Sequence, residues 1–151
     1  MIRLATKNDA EAIYAIEKAM FDDSIYCGLS LKEINKLLSK KSTYLYVYCN
    51  EKNMPVGYSL GIIINRKAIW FNSLAVLKEY QSTDAAKTLF NIIETTSKNL
   101  HLNTIILEIR KDNKALHRRY KNMGYSIWKE LENYYPDGCS ALRMTKQTKG
   151  L

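Results

Sequence analysis

The sequence predicts an α/β protein of the α+β type, in which a mixed, mostly antiparallel sheet of about seven strands is flanked by about four helices. Two observations lead to this prediction. Segments of alternating and of helical apolar spacing follow one another in the order β-α-α-β-β-β-α-β-α-β-β, and no repeat or linker interrupts residues 2–146. The 151 residues are 46% hydrophobic, which suffices for one core but not for two ordinary domains. We expect residues 1–146 to form the domain, and the Lys-rich end from about Thr145, with 147–151 as its tail, to fray.

The first third of the chain predicts a short strand and two helices. Residues 2–5 form the strand, and Thr6 with Asp9 resembles a capping box, a pair of side chains that satisfies N–H groups at a helix start. Ser30 with Glu33 is a clearer example of the same pattern. Each box precedes apolar residues at helical spacing, which predicts the two helices: Ile13, Ile16 and Met20 in the first, Ile34, Leu37 and Leu38 in the second.

The middle of the chain changes to the period of strands. Residues 43–49 alternate three tyrosines with Leu45 and Val47, residues 56–64 follow a turn that contains proline, and residues 68–76 follow a short Asn-Arg-Lys connection. Each connection is too short for a crossover. These three strands are therefore predicted to form an antiparallel meander.

The second half of the chain alternates helices with strands. A helix over residues 83–100 leads to an apolar strand over 104–109, and such a crossover places this strand parallel to a neighbour. Asn113 is predicted to cap the next helix, and Gly124 to end it in the left-handed conformation. Two last strands flank a Tyr-Pro-Asp-Gly turn: residues 125–134 and 139–144.

Composition argues against several classes of protein. Three cysteines without CxxC or Cys/His spacing disfavour a disulfide framework and a structural zinc site, so we expect no metal, reduced thiols and a cytoplasmic location. No run of about 18 apolar residues suggests a membrane span. The formal charge of +8 favours an anionic partner, such as nucleic acid, an acidic protein or a phosphorylated cofactor. Because the known RNA-binding signatures are missing, nucleic acid is the less favoured of these partners.

The junction between the third meander strand and the following helix is a candidate phosphate site. A helix start offers backbone N–H groups without acceptors and the positive end of the helix dipole. Small residues at Ser82, Ala85 and Ala86 would let a phosphate approach the backbone closely. Any helix that follows a strand has such a start, so this pattern alone does not identify a ligand.

The junction belongs to a longer series of motifs. It reads Leu-Ala-Val at 74–76, with Gln81 and Ala86 following, and the second half continues with Leu-Glu-Ile-Arg at 107–110, Met-Gly-Tyr at 123–125 and Asn-Tyr-Tyr-Pro-Asp-Gly at 133–138. This series resembles the GCN5-related N-acetyltransferases (GNAT family), whose acetyl-CoA motif is Gln/Arg-x-x-Gly-x-Gly/Ala after such a strand end. The resemblance covers nearly the whole chain. It is closest to the branch that acetylates protein N-termini, typified by the ribosomal-protein alanine acetyltransferases.

The resemblance implies the family's fold and acetyl-CoA as the cosubstrate. It places the pantetheine arm beside Asn113 and along a bulged strand that ends at Leu74, Ala75 and Val76. It places the pyrophosphate on the N–H groups of the junction, namely Gln81, Ser82, Thr83, Asp84, Ala85 and Ala86. Asp84 departs from the motif, which has glycine there. Its carboxylate would either repel the pyrophosphate or point to solvent at the helix start.

The resemblance also implies two residues for proton transfer. The acceptor amine must lose a proton before it attacks, and the departing thiolate needs a proton or a hydrogen bond. Glu108 matches the family's proposed base and Tyr120 its proposed acid, while the N–H of Val76 would hold the thioester carbonyl. Without the resemblance, Glu108 reads as an ion-paired strand residue near Arg110, and Tyr120 as a core residue.

The acceptor is the least defined part of the prediction. The branch resemblance implies a protein or peptide α-amine, with Tyr134 and Tyr135 beside it and residues 21–30 as the other wall of a groove. Both tyrosines could instead pack as the end of a hairpin. A polyamine or an aminoglycoside is an alternative acceptor, although a protein of charge +8 steers a polycation poorly. Two further alternatives remain for the function of the protein: a non-catalytic acyl-CoA-binding domain and an RNA-binding domain. The oligomeric state does not follow from the sequence.

Overall fold

The computed structural model describes residues 1–148 and confirms the predicted element order. Its seven strands are β1 (Ile2–Leu4), β2 (Thr43–Cys49), β3 (Pro55–Ile64), β4 (Ala68–Val76), β5 (Thr104–Arg110), β6 (Ser126–Leu131) and β7 (Ala141–Gln147). Its four α-helices are α1 (Ala10–Met20), α2 (Leu31–Leu38), α3 (Ala85–Asn99) and α4 (Lys114–Asn122). The strands form one mixed sheet in the order β1-β2-β3-β4-β5-β7-β6. The predicted α+β class is thus confirmed.

Local hydrogen bonds explain where the helices begin and end. Ser30 Oγ accepts the N–H of Glu33 at 3.1 Å, and the Glu33 carboxylate accepts the N–H of Ser30 at 3.0 Å, as the capping-box pattern predicts. Asn113 Oδ1 accepts the N–H of Leu116 at 3.1 Å at the start of α4. Gly124 follows this helix with φ 97°, the left-handed conformation that glycine adopts without strain.

At the centre of the sheet, β4 and β5 separate over part of their length. β2, β3 and β4 form the predicted antiparallel meander, and β4 then pairs with β5 in parallel. This parallel pairing covers only Ala68–Trp70 of β4 and Thr104–Ile106 of β5. β4 also contains a bulge at Asn72, since Leu60 pairs with Ser73 and Gly61 with Phe71. Beyond the three paired residues of each strand, β4 and β5 therefore lie on either side of a gap in the sheet.

Two packed layers cover the faces of the sheet. On one face, α3 and Tyr125 pack against Ile105, Leu107 and Ile109 of β5. On the other face, α1 and α2 pack against Leu45, Val47, Tyr58 and Leu60. Since side chains alternate along a strand, Glu108 of β5 lies on the face of α1 and α2. No helix within residues 1–148 is long and apolar enough to cross a membrane.

Two boundaries near the end of the chain differ from the prediction. The expected fraying from about Thr145 is wrong as far as Thr148, because β7 continues to Gln147 between β5 and β6, and the Thr148 hydroxyl donates to the C=O of Leu102 at 2.8 Å. The rest of the predicted tail, residues 149–151, lies outside the described residues. β6 ends at Leu131 instead of residue 134, because Asn133 turns the chain with φ 52°.

Candidate functional site

Two adjoining cavities lie at the gap between β4 and β5. The first has a volume of about 510 Å³, and the second, of about 410 Å³, shares Phe21, Leu74 and Arg119 with it. The first cavity brings together six of the residues predicted for the site: Leu74, Glu108, Asn113, Tyr120, Tyr134 and Tyr135. The second brings together Leu74, Ala75, Val76, Gln81 and Ala86. The sequence motifs thus meet in one continuous cleft.

The end of β4 presents backbone groups to this cleft. The N–H of Leu77 donates to the C=O of Val56 at 2.8 Å, which fixes the hydrogen-bonding pattern between β3 and β4. Because hydrogen-bonded and non-hydrogen-bonded pairs alternate in antiparallel strands, the backbone groups of Leu74 and Val76 face away from β3 and toward the gap. The C=O of Val76 accepts Gln81 Nε2 at 3.0 Å, which agrees with this direction.

In the loop before α3, Gln81 lines the second cavity, whereas most of the other residues lie outside it. The N–H of Ala85 donates to Thr83 Oγ1 at 3.2 Å, and the side chain of Ala85 is fully buried in the core. Ser82, Thr83, Asp84 and Ala85 line neither cavity. Ala86 does line the second cavity, in the first turn of α3, where helix N–H groups have no intrahelical acceptor. This end of the cleft is therefore suited to an anion.

The carboxylate of Asp84 is held away from the gap. Tyr48 Oη donates to Asp84 Oδ1 at 2.9 Å, and this bond to a carboxylate raises the pKa of Tyr48. Tyr48 belongs to β2, which lies on the opposite side of β4 from β5. An acidic residue at the glycine position of the motif is thus directed toward β2, so its charge does not line the cleft.

Tyr120 lies between the core and the first cavity. Its ring stacks on Phe90 with the centroids 5.6 Å apart and also contacts Tyr125 at 5.6 Å. Burial raises the pKa of its hydroxyl. The residue is therefore both a packed core side chain and a hydroxyl at the wall of the cleft. The two interpretations of Tyr120 from the sequence, a proton donor and a core residue, are therefore compatible.

Glu108 is fixed across three strands. Its Oε1 accepts the indole N–H of Trp70 at 2.7 Å, and its Oε2 accepts Nε of Arg143 at 2.8 Å. The predicted ion pair is correct in kind but has a different partner, because Arg143 lies directly opposite Glu108 on β7. Glu108 also lies within β5 and not at its end. Its carboxylate still lines the first cavity.

Several residues of the segment 21–30 line the first cavity, and Arg110 connects this segment to Tyr135. The Arg110 guanidinium donates to the C=O of Ile25 at 2.6 Å and to Asp137 Oδ2 at 2.6 Å. It also lies 5.5 Å from the ring of Tyr26 and 5.0 Å from that of Tyr135. Arg110 thereby joins the α1–α2 segment to the β6–β7 loop. No local signal in the sequence indicates this role, since Ile25 is 85 positions away.

A second carboxylate at the cleft was also not predicted. Glu17 of α1 is only 3% exposed, yet it contributes to the lining of the first cavity. It accepts the hydroxyl of Tyr58 and, through Oε2, the N–H of Leu29 at 3.1 Å. Burial raises the pKa of its carboxyl. The sequence does contain a signal for it, because Glu17 is a charged residue directly beside Ile16, an apolar position of the helical repeat.

The described residues offer little for a metal site. Within residues 1–148, no group of three or more His, Cys, Asp or Glu side chains is arranged to hold a metal ion. Arg119 of α4 is a cation of the cleft that borders both cavities, while Arg110 borders the first. The site therefore combines backbone donors, two guanidinium groups, tyrosines and carboxylates.

Comparison with known proteins agrees with this geometry. The chain matches the family model described as Acetyltransferase (GNAT) family over residues 10–125. It is 32% identical over 152 residues to an uncharacterized N-acetyltransferase of Methanocaldococcus jannaschii, covering 97% of this chain and 91% of that one. It is 26% identical over 113 residues to the N-terminal acetyltransferase B complex catalytic subunit of Arabidopsis thaliana, covering 72% of this chain and 65% of that one.

A solved structure shows the same fold. The ribosomal-protein-S18-alanine N-acetyltransferase from Escherichia coli superposes with a TM-score of 0.87 at 19% identity, covering 100% of this chain and 95% of the other. The family match extends over more than half of the chain and includes the strand, loop and helices around the cleft. The protein is therefore an acyltransferase and belongs to the GNAT family of acetyltransferases.

Proposed function

We propose that this enzyme transfers the acetyl group of acetyl-CoA to the α-amine of a protein or peptide, by direct attack of the amine on the thioester. The observation that carries the proposal is the continuous cleft through the gap between β4 and β5. One end has the free backbone groups of a helix start, and the other has tyrosines and carboxylates between two connected walls. Such a cleft can hold a phosphorylated donor and an amine acceptor at the same time.

The residues of the donor end fit acetyl-CoA. The N–H groups of the segment from Gln81 to Ala86 would hold the pyrophosphate, and Arg119 adds a positive charge beside them. The N–H groups of Gln81, Thr83 and Ala85 would first give up the acceptors that they have within the loop. The outward-facing backbone groups of Leu74 and Val76 would bind the pantetheine arm together with Asn113. Because Asn113 Oδ1 already caps α4, its amide nitrogen is the group left for this contact.

Tyr120 and Glu108 are the proposed catalytic residues at the meeting point of donor and acceptor. Tyr120 would donate its proton to the departing thiolate, and the N–H of Val76 would hold the thioester carbonyl. Glu108 would receive the amine on the face of α1 and α2. Both of its oxygens already accept hydrogen bonds, so we propose that it orients the amine from a fixed position.

Two features support a polypeptide acceptor. Tyr134 and Tyr135 face the α1–α2 segment across the first cavity, and their hydroxyls could hydrogen-bond to a peptide backbone. Relatives and structural neighbours include enzymes whose names specify N-terminal or ribosomal-protein acetylation. We also propose a cytoplasmic location, since the three cysteines are free thiols, as a reducing compartment requires.

A small basic amine is the second candidate acceptor. Three acidic residues line the first cavity, Glu17, Glu33 and Glu108, together with the two arginines Arg110 and Arg119. The local charge near the acceptor is thus more acidic than the net charge of +8 suggests, and it could hold a polyamine.

A substrate screen distinguishes these proposals. The protein is incubated with acetyl-CoA and, separately, with a peptide library, spermidine and an aminoglycoside, while free CoA and acetylated products are measured by mass spectrometry. We expect CoA release only with peptides and a mass gain on the α-amine. Turnover of spermidine alone would favour the small-amine enzyme. Binding of acetyl-CoA without turnover on any amine would indicate a non-catalytic acyl-CoA-binding domain.

A further inference from the structure

Three hydrogen-bonded side chains lead from the cleft to a buried carboxylate. Ser73 of β4 lines the first cavity, and its Oγ lies 2.9 Å from Tyr58 Oη of β3. The Tyr58 hydroxyl, which is completely buried, donates to Glu17 Oε1 of α1. Glu17 Oε2 accepts the N–H of Leu29. The array therefore has one end at the cleft and the other inside the protein.

With Glu17 ionised, the direction of the protons in this array follows from its hydrogen bonds. Tyr58 has a single hydroxyl proton, and it is donated to Glu17. The contact between Tyr58 and Ser73 must then use the proton of Ser73. Both hydrogen bonds point toward Glu17, so the lone pairs of Ser73 Oγ are left to accept a proton from the cleft.

Ser73 is located where an acceptor amine would arrive. It directly precedes Leu74, whose backbone faces the gap, and its side chain shares the face of α1 and α2 with Tyr58. This is also the face of Glu108 and of the wall formed by the α1–α2 segment. An amine that approaches the thioester from this face passes Ser73.

Glu17 differs from Glu108 in its hydrogen-bond partners. Glu108 is bound by a guanidinium, that of Arg143, and by the Trp70 indole. Among residues 1–148, Glu17 is bound only by two neutral donors, the Tyr58 hydroxyl and the N–H of Leu29. A carboxylate without a cation is the better proton acceptor of the two. The raised pKa of Glu17, which burial causes, agrees with this assignment.

We infer that Ser73, Tyr58 and Glu17 form a relay that accepts the proton of the acceptor ammonium group. Ser73 Oγ takes the proton from the ammonium nitrogen while its own proton passes to Tyr58 Oη, and the Tyr58 proton passes to Glu17 Oε1. The products are a neutral amine, unchanged Ser73 and Tyr58, and a Glu17 carboxylic acid. After the products leave, the proton returns through the same groups to water that enters the cleft. This inference rests on the proposed function.

Few charged groups around Glu17 would complicate its titration. Lys18 and Asp23 are the nearest charges on α1 and the segment after it, and they pair with each other at 2.8 Å. Tyr58 faces it from β3, and Glu33 on α2 lines the same cavity. Ser73 is the group on β4 that is connected to it, through Tyr58, and it does not titrate.

The test measures kcat, acceptor KM and acetyl-CoA affinity for Glu17→Gln and Ser73→Ala, with the peptide acceptor of the substrate screen. We expect kcat to fall on the order of 10²-fold in Glu17→Gln and about tenfold in Ser73→Ala, where water can replace the hydroxyl. Acetyl-CoA affinity should stay within about twofold in both, because neither residue contacts the proposed donor end. The wild-type kcat should fall as the pH drops through the pKa of Glu17, and Glu17→Gln should lose that dependence.

Tyr46→Phe is the matched control for a third variant, Tyr58→Phe. Tyr46 Oη also makes a partly buried hydrogen bond, to Thr96 Oγ1 at 2.6 Å, but it does not line the cleft. Tyr58→Phe should lower kcat and Tyr46→Phe should not, at similar thermal stability. Unchanged kcat in Glu17→Gln, with normal wild-type turnover, would overturn the relay and leave the proposed function intact. Absence of wild-type turnover on any amine would instead overturn the proposed function itself.

Discussion

The proposed donor end and the proposed acceptor end of the cleft are constructed differently. The donor end, from Leu74 to Ala86, consists mainly of backbone groups from one continuous segment of chain. The acceptor end consists of side chains from α1, the α1–α2 segment, β4, β5 and the β6–β7 loop. Because every residue has the same backbone groups, the donor end tolerates many different side chains, whereas the acceptor end depends on particular pairs of residues.

Tyr120→Phe should have the largest effect, because Tyr120 lies where the two ends meet. Loss of the hydroxyl removes the proposed proton donor and keeps the stacking of the ring on Phe90. We expect turnover to fall at least about tenfold, with nearly unchanged affinity for acetyl-CoA and acceptor. Steady-state kinetics together with calorimetric titration of acetyl-CoA measures this. Equal turnover in the two proteins would show that Tyr120 is only a core residue.

Arg110→Ala should damage the acceptor end alone. The substitution removes the connection between Ile25 and Asp137, so the two walls of the groove can separate. We expect acceptor KM to rise about tenfold from this misplacement, while acetyl-CoA affinity stays the same. Arg3→Ala is the matched control, since Arg3 pairs with Asp9 at 2.8 Å away from the cleft. A similar rise in KM for Arg3→Ala would contradict a local effect.

Gly57→Ala should weaken the donor end indirectly, by displacing β4 from its position next to β3. A Cβ at Gly57 would lie 3.0 Å from the backbone oxygen of Ala75, so β4 would have to move. We expect a loss of about 1–3 kcal/mol in the free energy of unfolding and acetyl-CoA binding weakened several-fold. At Gly61, on the same strand, the new Cβ would meet the Ile69 side chain instead. Gly61→Ala should therefore lower stability without weakening acetyl-CoA binding, and equal binding losses in both variants would refute this distinction.

Asp84→Gly should have the smallest effect. The carboxylate is bound by Tyr48 and does not line the cleft, so its removal should change acetyl-CoA affinity by less than about twofold. Tyr48→Phe frees the carboxylate and should weaken binding more than Asp84→Gly does. Calorimetric titration of both variants and of the double variant measures this. Tighter binding by more than tenfold in Asp84→Gly would show that the carboxylate repels the pyrophosphate after all.

The same contrast explains how much could be predicted from the sequence. Capping at Ser30 and Asn113, the turn glycine Gly124 and the strand alternation depend on residues close together in the chain, and the structure confirms them. The order of elements and the donor segment follow from such local signals.

The acceptor end depends on contacts between distant residues. Glu17 is 41 positions from Tyr58, and Glu108 is 35 positions from Arg143. No periodicity encodes such pairs, because each forms only after the sheet has brought its strands together. The bounds of β6 and β7 were incorrect for a related reason: β7 is extended by two neighbouring strands, and β6 has only one.

The short pairing of β4 with β5 also has a consequence for the stability of the protein. Where β4 and β5 separate, the outward-facing N–H and C=O groups near Leu74 and Val76 have no neighbouring strand to pair with, and the Val76 C=O accepts Gln81 Nε2 instead. A bound pantetheine arm would complete this sheet, so amide hydrogen exchange there should slow markedly in the presence of acetyl-CoA. Binding at about 100 times the Kd would add about 2.7 kcal/mol to the free energy of unfolding. The resistance of this enzyme to proteolysis would then follow the supply of acetyl-CoA.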